Sequence, residues 1–189
     1  MSLRYALIAL SILLTGLVKA QIFENYSVYA LAPGYNFSED EGLEGFTLTA
    51  HGQAGSGFFH GELSSTLGYG KELFMNEYLT LDIAGGIPFT INDNSEALIA
   101  LSPVSINLST EPSLGMATLL KYRYGLTFLE AKLMLIDYSK NEIPFMANKS
   151  YFSIKRRLGD VFGIGLRYTS FTKTDHMLSL FLFAGFEDN

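Results

Sequence analysis

His60, Glu62 and Ser64 stand two residues apart, so on a β-strand all three project from one face. A serine activated by histidine, with a carboxylate behind it, is the arrangement of acyl-transfer chemistry. The three histidines read His51-Gly-Gln, His60-Gly-Glu and His176-Met-Leu, so none carries the His-x-Ser spacing that would place base and nucleophile together. Packing of His60 inside a fold is the reading these neighbours favour, and no catalytic residue is expected. Three scattered histidines and Cys 0 offer no metal-ligand cluster, and no cofactor is implied. Asp93, between Asn92 and Asn94, lacks the later glutamate of a calcium loop.

A second set of charges is more regular. LLKYRYGLTFLEAKLML, residues 119–135, carries Lys121, Arg123, Glu130 and Lys132 at alternate positions within an apolar stretch. A helix over residues 113–136 is conceivable from Leu, Met, Glu and Lys content. Gly125 in its middle and strand-like neighbours on both sides favour a hairpin instead. With Gly125-Leu126 as a two-residue turn of type II′, paired positions sum to 251, and Lys121 faces Glu130 while Arg123 faces Phe128. A one-residue slip would turn every side chain of one strand to the wrong face. The Lys121 to Glu130 pair is expected to fix that register, contributing about 0.2–1 kcal/mol as a cross-strand contact.

Residues 1–20 have the form of a secretory signal peptide: Arg4, an apolar run over residues 5–18, and a Val18-Lys19-Ala20 exit before Gln21. The apolar run is shorter than the roughly 18 residues of a spanning helix. Residues 21–189 then form one domain, without room for a second. Without Arg4 and Lys19, 11 basic residues stand against 19 acidic ones, a net charge of −8 that disfavours nucleic acid as partner. Cys 0 argues against a disulfide-rich extracellular module. Asn-x-Ser sequons at Asn25, Asn36, Asn107 and Asn148 weakly raise a eukaryotic secreted alternative, since about one or two such matches are expected by chance in a chain with nine asparagines. Charged residues make up 17% of the chain, below the roughly 25% of soluble domains, so something else fills the second face of its strands.

Ten runs alternate as strands, over residues 24–32, 43–53, 57–69, 77–88, 96–108, 114–124, 127–138, 150–157, 160–171 and 176–186. One face is aliphatic and aromatic, as in Leu79, Leu81 and Ile83; the other is Gly, Ser, Thr and Ala with isolated charges. Small polar residues suit the inside of a narrow barrel. The charges expected there are His60, Glu62, Asp82, Lys121, Arg123, Glu130, Lys132, Lys155 and Arg167. Tyr69, Tyr78, Tyr122, Tyr124, Tyr138, Tyr151, Phe152, Tyr168 and Phe171 fall near run ends, as an aromatic girdle at a lipid–water boundary would. Lys155-Arg156-Arg157 reads as one lumen charge plus a basic strand end, and the acidic loop at residues 38–44 as solvated. Connections at residues 33–42, 70–76, 109–113, 139–149 and 172–175 would lie on one side. Tight ones at 54–56, 125–126 and 158–159 would lie on the other, with 89–95 longer than that asymmetry prefers.

With its Ala20-Gln21 junction, acidic charge, lack of cysteine and Phe-rich last run (Phe181, Phe183, Phe186), the chain resembles small outer-membrane β-barrels of Gram-negative bacteria, the OmpA/OmpX-like and opacity-like group. The resemblance is one of pattern over residues 21–189 and includes no diagnostic motif. It implies an antiparallel up-and-down transmembrane β-barrel of eight to ten strands, a monomer contacting outer-membrane lipid and lipopolysaccharide. It also implies insertion by the barrel-assembly machinery, whose signal is an aromatic residue at or beside the carboxyl terminus; here Glu187-Asp188-Asn189 follow Phe186. A structural or surface-interaction role is expected. The alternatives are a soluble periplasmic lipocalin-like barrel with an apolar ligand inside, and a lipid-modifying barrel enzyme.

Overall fold

The computed structural model describes residues 25–38, 45–70, 78–108, 113–138, 150–170 and 175–187. They form ten strands: β1 (Asn25–Ser38), β2 (Gly45–Ser56), β3 (Phe59–Gly70), β4 (Tyr78–Asn92), β5 (Ser95–Leu108), β6 (Ser113–Tyr124), β7 (Thr127–Asp137), β8 (Ser150–Arg157), β9 (Phe162–Ser170) and β10 (Asp175–Glu187). Each pairs antiparallel with its sequence neighbours, and β1 pairs with β10, so the sheet closes without an edge. Closure gives each strand a hydrogen-bonded neighbour on both sides, the condition for a sheet surrounded by hydrocarbon. Residues 1–20, read as a signal peptide, lie outside the described residues, as do Phe171 and residues 39–44 of the acidic loop.

Four short turns share one end of the barrel with the starts of β1 and the end of β10. They are Gly57-Phe58, Asp93-Asn94, Gly125-Leu126 and residues 158–161. Gly57 and Gly125 have φ of 56° and 55°, the left-handed region that side-chain-bearing residues avoid. The β6–β7 hairpin has the register the sequence dictates, Lys121 opposite Glu130 and Arg123 opposite Phe128, which excludes a helix over residues 113–136. A shift between Met116 and Ala117 sets the rest of that ladder one residue over.

Three boundaries differ from the sequence reading. β4 runs to Asn92 and β5 begins at Ser95, so the supposed long connection at residues 89–95 is a two-residue turn. The turn expected at residues 54–56 lies at Gly57-Phe58, because β2 continues to Ser56 and Gly57 supplies the positive φ. β1 does not stop at residue 32 but passes through Pro33 and Gly34 to Ser38. Proline has no N–H to give a ladder, and the β1–β10 pairing skips Ala32 and Pro33 while β1–β2 pairing continues through them. Pro103 lies in the shift between Ser102 and Ser105, where a bulge tolerates it.

Side-chain polarity is inverted relative to a soluble barrel. Leu31, Leu63, Ile83, Ile99, Leu166 and Leu182, spread around the wall, are each about half exposed. Inside lie Asp82, Ser102, Ser105, Ser153 and Ser179, all essentially inaccessible. Soluble monomers rarely expose apolar patches above a few hundred Å². Here exposed leucines and isoleucines stand on strands all round the outer wall, which removes the reading of a soluble lipocalin-like barrel with an apolar interior.

Candidate functional site

The alternation that puts leucines outside turns the polar positions of every strand into one bore, and long charged side chains there must find partners within it. Gln53 on β2 is central. Its Nε2 donates to Glu62 at 3.0 Å and to Glu130 at 3.2 Å, and its Oε1 accepts from Lys121 Nζ at 3.1 Å. Lys121 also donates to Tyr26 Oη at 2.8 Å, and Tyr151 Oη donates to Glu62 at 2.6 Å. Glu130 accepts from Lys155 at 2.7 Å, and Arg167 lies 3.7 Å from the same oxygen. Lys132 and Asp82 form a separate buried ion pair.

Three of these bonds join strands five places apart in a ring of ten: Lys121 of β6 to Tyr26 of β1, Glu130 of β7 to Gln53 of β2, and Tyr151 of β8 to Glu62 of β3. Strands five apart in a closed ring of ten are diametrically opposite. The side chains therefore reach across the bore and meet within it. Aromatic and apolar groups complete the layer: the Arg167 guanidinium lies 3.9 Å from the Tyr151 ring centre and 4.2 Å from that of Phe181. Toward the hairpin end, Tyr26, Ala84, Leu98, Ala100 and Leu119 form an apolar cluster within the bore.

Of the nine lumen charges expected from the sequence, Glu62, Lys121, Glu130, Lys155 and Arg167 meet in this layer, and Asp82 and Lys132 are buried in the same bore as a pair of their own. Arg123 is placed apart, pairing with Glu96 at 3.5 Å, its cross-strand neighbour. His60 stacks on Tyr26, with Nδ1 3.3 Å from its hydroxyl. Lys121 and Glu130 stand opposite one another, but their charged ends go to different partners with Gln53 between them, so the direct ion pair expected from the register is replaced by a bridged one. His60, Glu62 and Ser64 do not converge, since Ser64 bonds Thr80 at 2.6 Å and Glu62 faces Gln53 and Tyr151. Gln53 and Tyr26 carry no charge to signal them. His51, within 3.2 Å of Arg167 Nη2, stood on the polar face of its run with no partner visible in sequence.

On the outer wall, Tyr124 at the hairpin end and Tyr138 and Tyr168 at the other are exposed, and Tyr122 is partly so. Tyr151 is a correction. It is 7% exposed and points inward, one residue out of phase with its outward neighbour Phe152. The side chains of Tyr69 and Tyr78 lie outside what is described. Rings the sequence reading passed over extend both bands: Phe58, Phe59 and Phe162 at the hairpin end, Tyr35, Phe37 and Phe46 at the other.

This is the side-chain distribution of a transmembrane β-barrel. No family model and no curated relative matches the chain. Among solved structures, a de novo designed transmembrane β-barrel matches 89% of this chain and 100% of its own, with TM-score 0.45 and 8% identity. Neisserial surface protein A matches 87% of this chain and 97% of its own, with TM-score 0.40 and 9% identity. Ail, the attachment invasion locus protein of Yersinia pestis, solved with the heparin analogue sucrose octasulfate, matches 86% of this chain and 97% of its own, with TM-score 0.34 and 10% identity.

Proposed function

We propose that this protein is a non-conducting barrel of the Gram-negative outer membrane, exported by its N-terminal signal, with a structural or surface-interaction role rather than a catalytic one. The observation that carries the reading is the set of three hydrogen bonds between diametrically opposite strands, which leaves charged and amide groups across the bore. Ions crossing such a layer would have to displace charge-assisted bonds that are sheltered from water. The tight turns at one end match periplasmic hairpins, and the longer connections at the other would face outward. The partners in this reading are membrane lipid, lipopolysaccharide and the assembly machinery.

Reconstitution in planar lipid bilayers tests it. Purified barrel should give no stable single-channel steps in 1 M-range salt, whereas reproducible steps from the folded, heat-modifiable form would overturn the sealed-lumen reading. Recovery of the protein from the soluble periplasm without detergent would overturn the membrane placement.

A further inference from the structure

Among the described side chains of the strands, Arg156 is the one Lys, Arg, Asp or Glu turned outward. It sits next to the last position of β8, at the hairpin end of the wall. An arginine on the lipid face costs about 2–4 kcal/mol at mid-membrane and about 0–1 kcal/mol near the boundary. Its level therefore matches the headgroups of the leaflet on the hairpin side.

Arg156 is not alone on its rung. It stands opposite Thr127 of β7, and Thr127 stands opposite Tyr124 of β6. Paired residues share a face, so a guanidinium and two hydroxyls line up side by side at this rim. One rung toward mid-membrane the wall is hollow. A groove of about 250 Å³ runs over β4 to β8, floored by Ala97 and Ala131 and walled by Phe89, Ile99, Leu120, Leu129 and Phe152. Leu129, two residues from Thr127, joins the groove to the polar rung.

We propose that Arg156, Thr127 and Tyr124 bind the phosphate of an anionic phospholipid in the hairpin-side leaflet, with one acyl chain lying in the groove above. The guanidinium fork matches two phosphate oxygens, and the hydroxyls donate to a third. The polarity of the site, cationic at the rim and apolar along the wall, is that of the ligand reversed in charge. The site rests on the membrane placement proposed above, and bilayer or fractionation results decide that placement independently.

Native mass spectrometry of the whole barrel, stripped of lipid in a nonionic detergent and titrated with dioleoyl phosphatidylglycerol, tests the site. The first lipid should bind R156Q about tenfold more weakly than the unaltered protein, the loss of one charge-assisted contact. A131L, which fills the groove and leaves Arg156 in place, should weaken it comparably. Dioleoylglycerol, lacking phosphate, should bind the unaltered protein and R156Q alike. Heat-modifiable migration of each variant establishes that it is folded. Equal phosphatidylglycerol affinity in folded R156Q, or no lipid held above the dioleoylglycerol level, would overturn the proposal while leaving the membrane placement intact.

Discussion

Gln53 of β2 and Glu130 of β7 meet across the full width of the bore, with Nε2 3.2 Å from Oε2. The same amide donates to Glu62 and accepts from Lys121, so one neutral side chain joins groups that would otherwise repel or stand apart. Glu130 in turn accepts from Lys155 and lies beside Arg167. It is the anion on which two buried cations depend.

Glu130→Ala should therefore destabilise the barrel strongly. Removing one partner from a buried ion pair typically costs about 3–5 kcal/mol because the other charge is left uncompensated. Urea unfolding in lipid vesicles, followed by loss of heat-modifiable migration, should show a loss of that order. A loss below about 1 kcal/mol, the level of an exposed pair, would mean the layer is hydrated and the bore open.

Lys121 and Glu130 face one another, so exchanging them would be expected to restore their attraction if they formed a simple pair. The structure predicts the opposite. A lysine at position 130 would meet Lys155 and Arg167, and a glutamate at position 121 would sit near Glu62 through Gln53. The double exchange should cost at least as much as the worse single reversal, measured by the same unfolding assay. Rescue by the exchange would restore the direct pair.

Arg167→Lys should not be conservative. The guanidinium stacks between the Tyr151 and Phe181 rings and reaches both ring nitrogens of His51, contacts that need a planar group. Loss of stacking of this kind is worth about 2 kcal/mol or more where water is excluded. The comparison that checks it is Lys155→Arg, which keeps the charge and should cost less than Arg167→Lys.

The wall and its ten strands were legible because period-two alternation is a local signal, and the β6–β7 register because Gly125 fixes a turn and register follows by counting. Pairing partners inside the bore were not. Which charge meets which depends on closure of the ring, which brings β2 against β7 and β3 against β8, and no local spacing encodes that. Tyr151 shows the limit most plainly. An aromatic near a strand end suits a boundary girdle, but its parity relative to Phe152, also aromatic, decides the face, and two adjacent rings leave that parity ambiguous.

Gly125, at φ 55°, makes that turn testable. A β-branched residue there meets the left-handed penalty of about 1–2 kcal/mol. Gly125→Val should slow folding into lipid vesicles and lower stability by that amount, while Gly159→Val, whose added Cβ would meet no atom within 4 Å, should change stability little. Equal effects would show that the turn does not set the register.

The outer wall can be tested by depth. Leu180 lies midway along β10, paired with Leu166 and 40% exposed, whereas Phe162 is 69% exposed at the start of β9 beside the hairpin end. An arginine on a lipid-facing strand costs about 2–4 kcal/mol at the midplane and about 0–1 kcal/mol near the boundary. Leu180→Arg should therefore lower the unfolding free energy in vesicles by several times more than Phe162→Arg. A wall facing water would abolish the difference, since an arginine replacing an exposed apolar side chain there costs little at either depth. The naturally outward Arg156 sits at the inexpensive level, at the same end as Phe162.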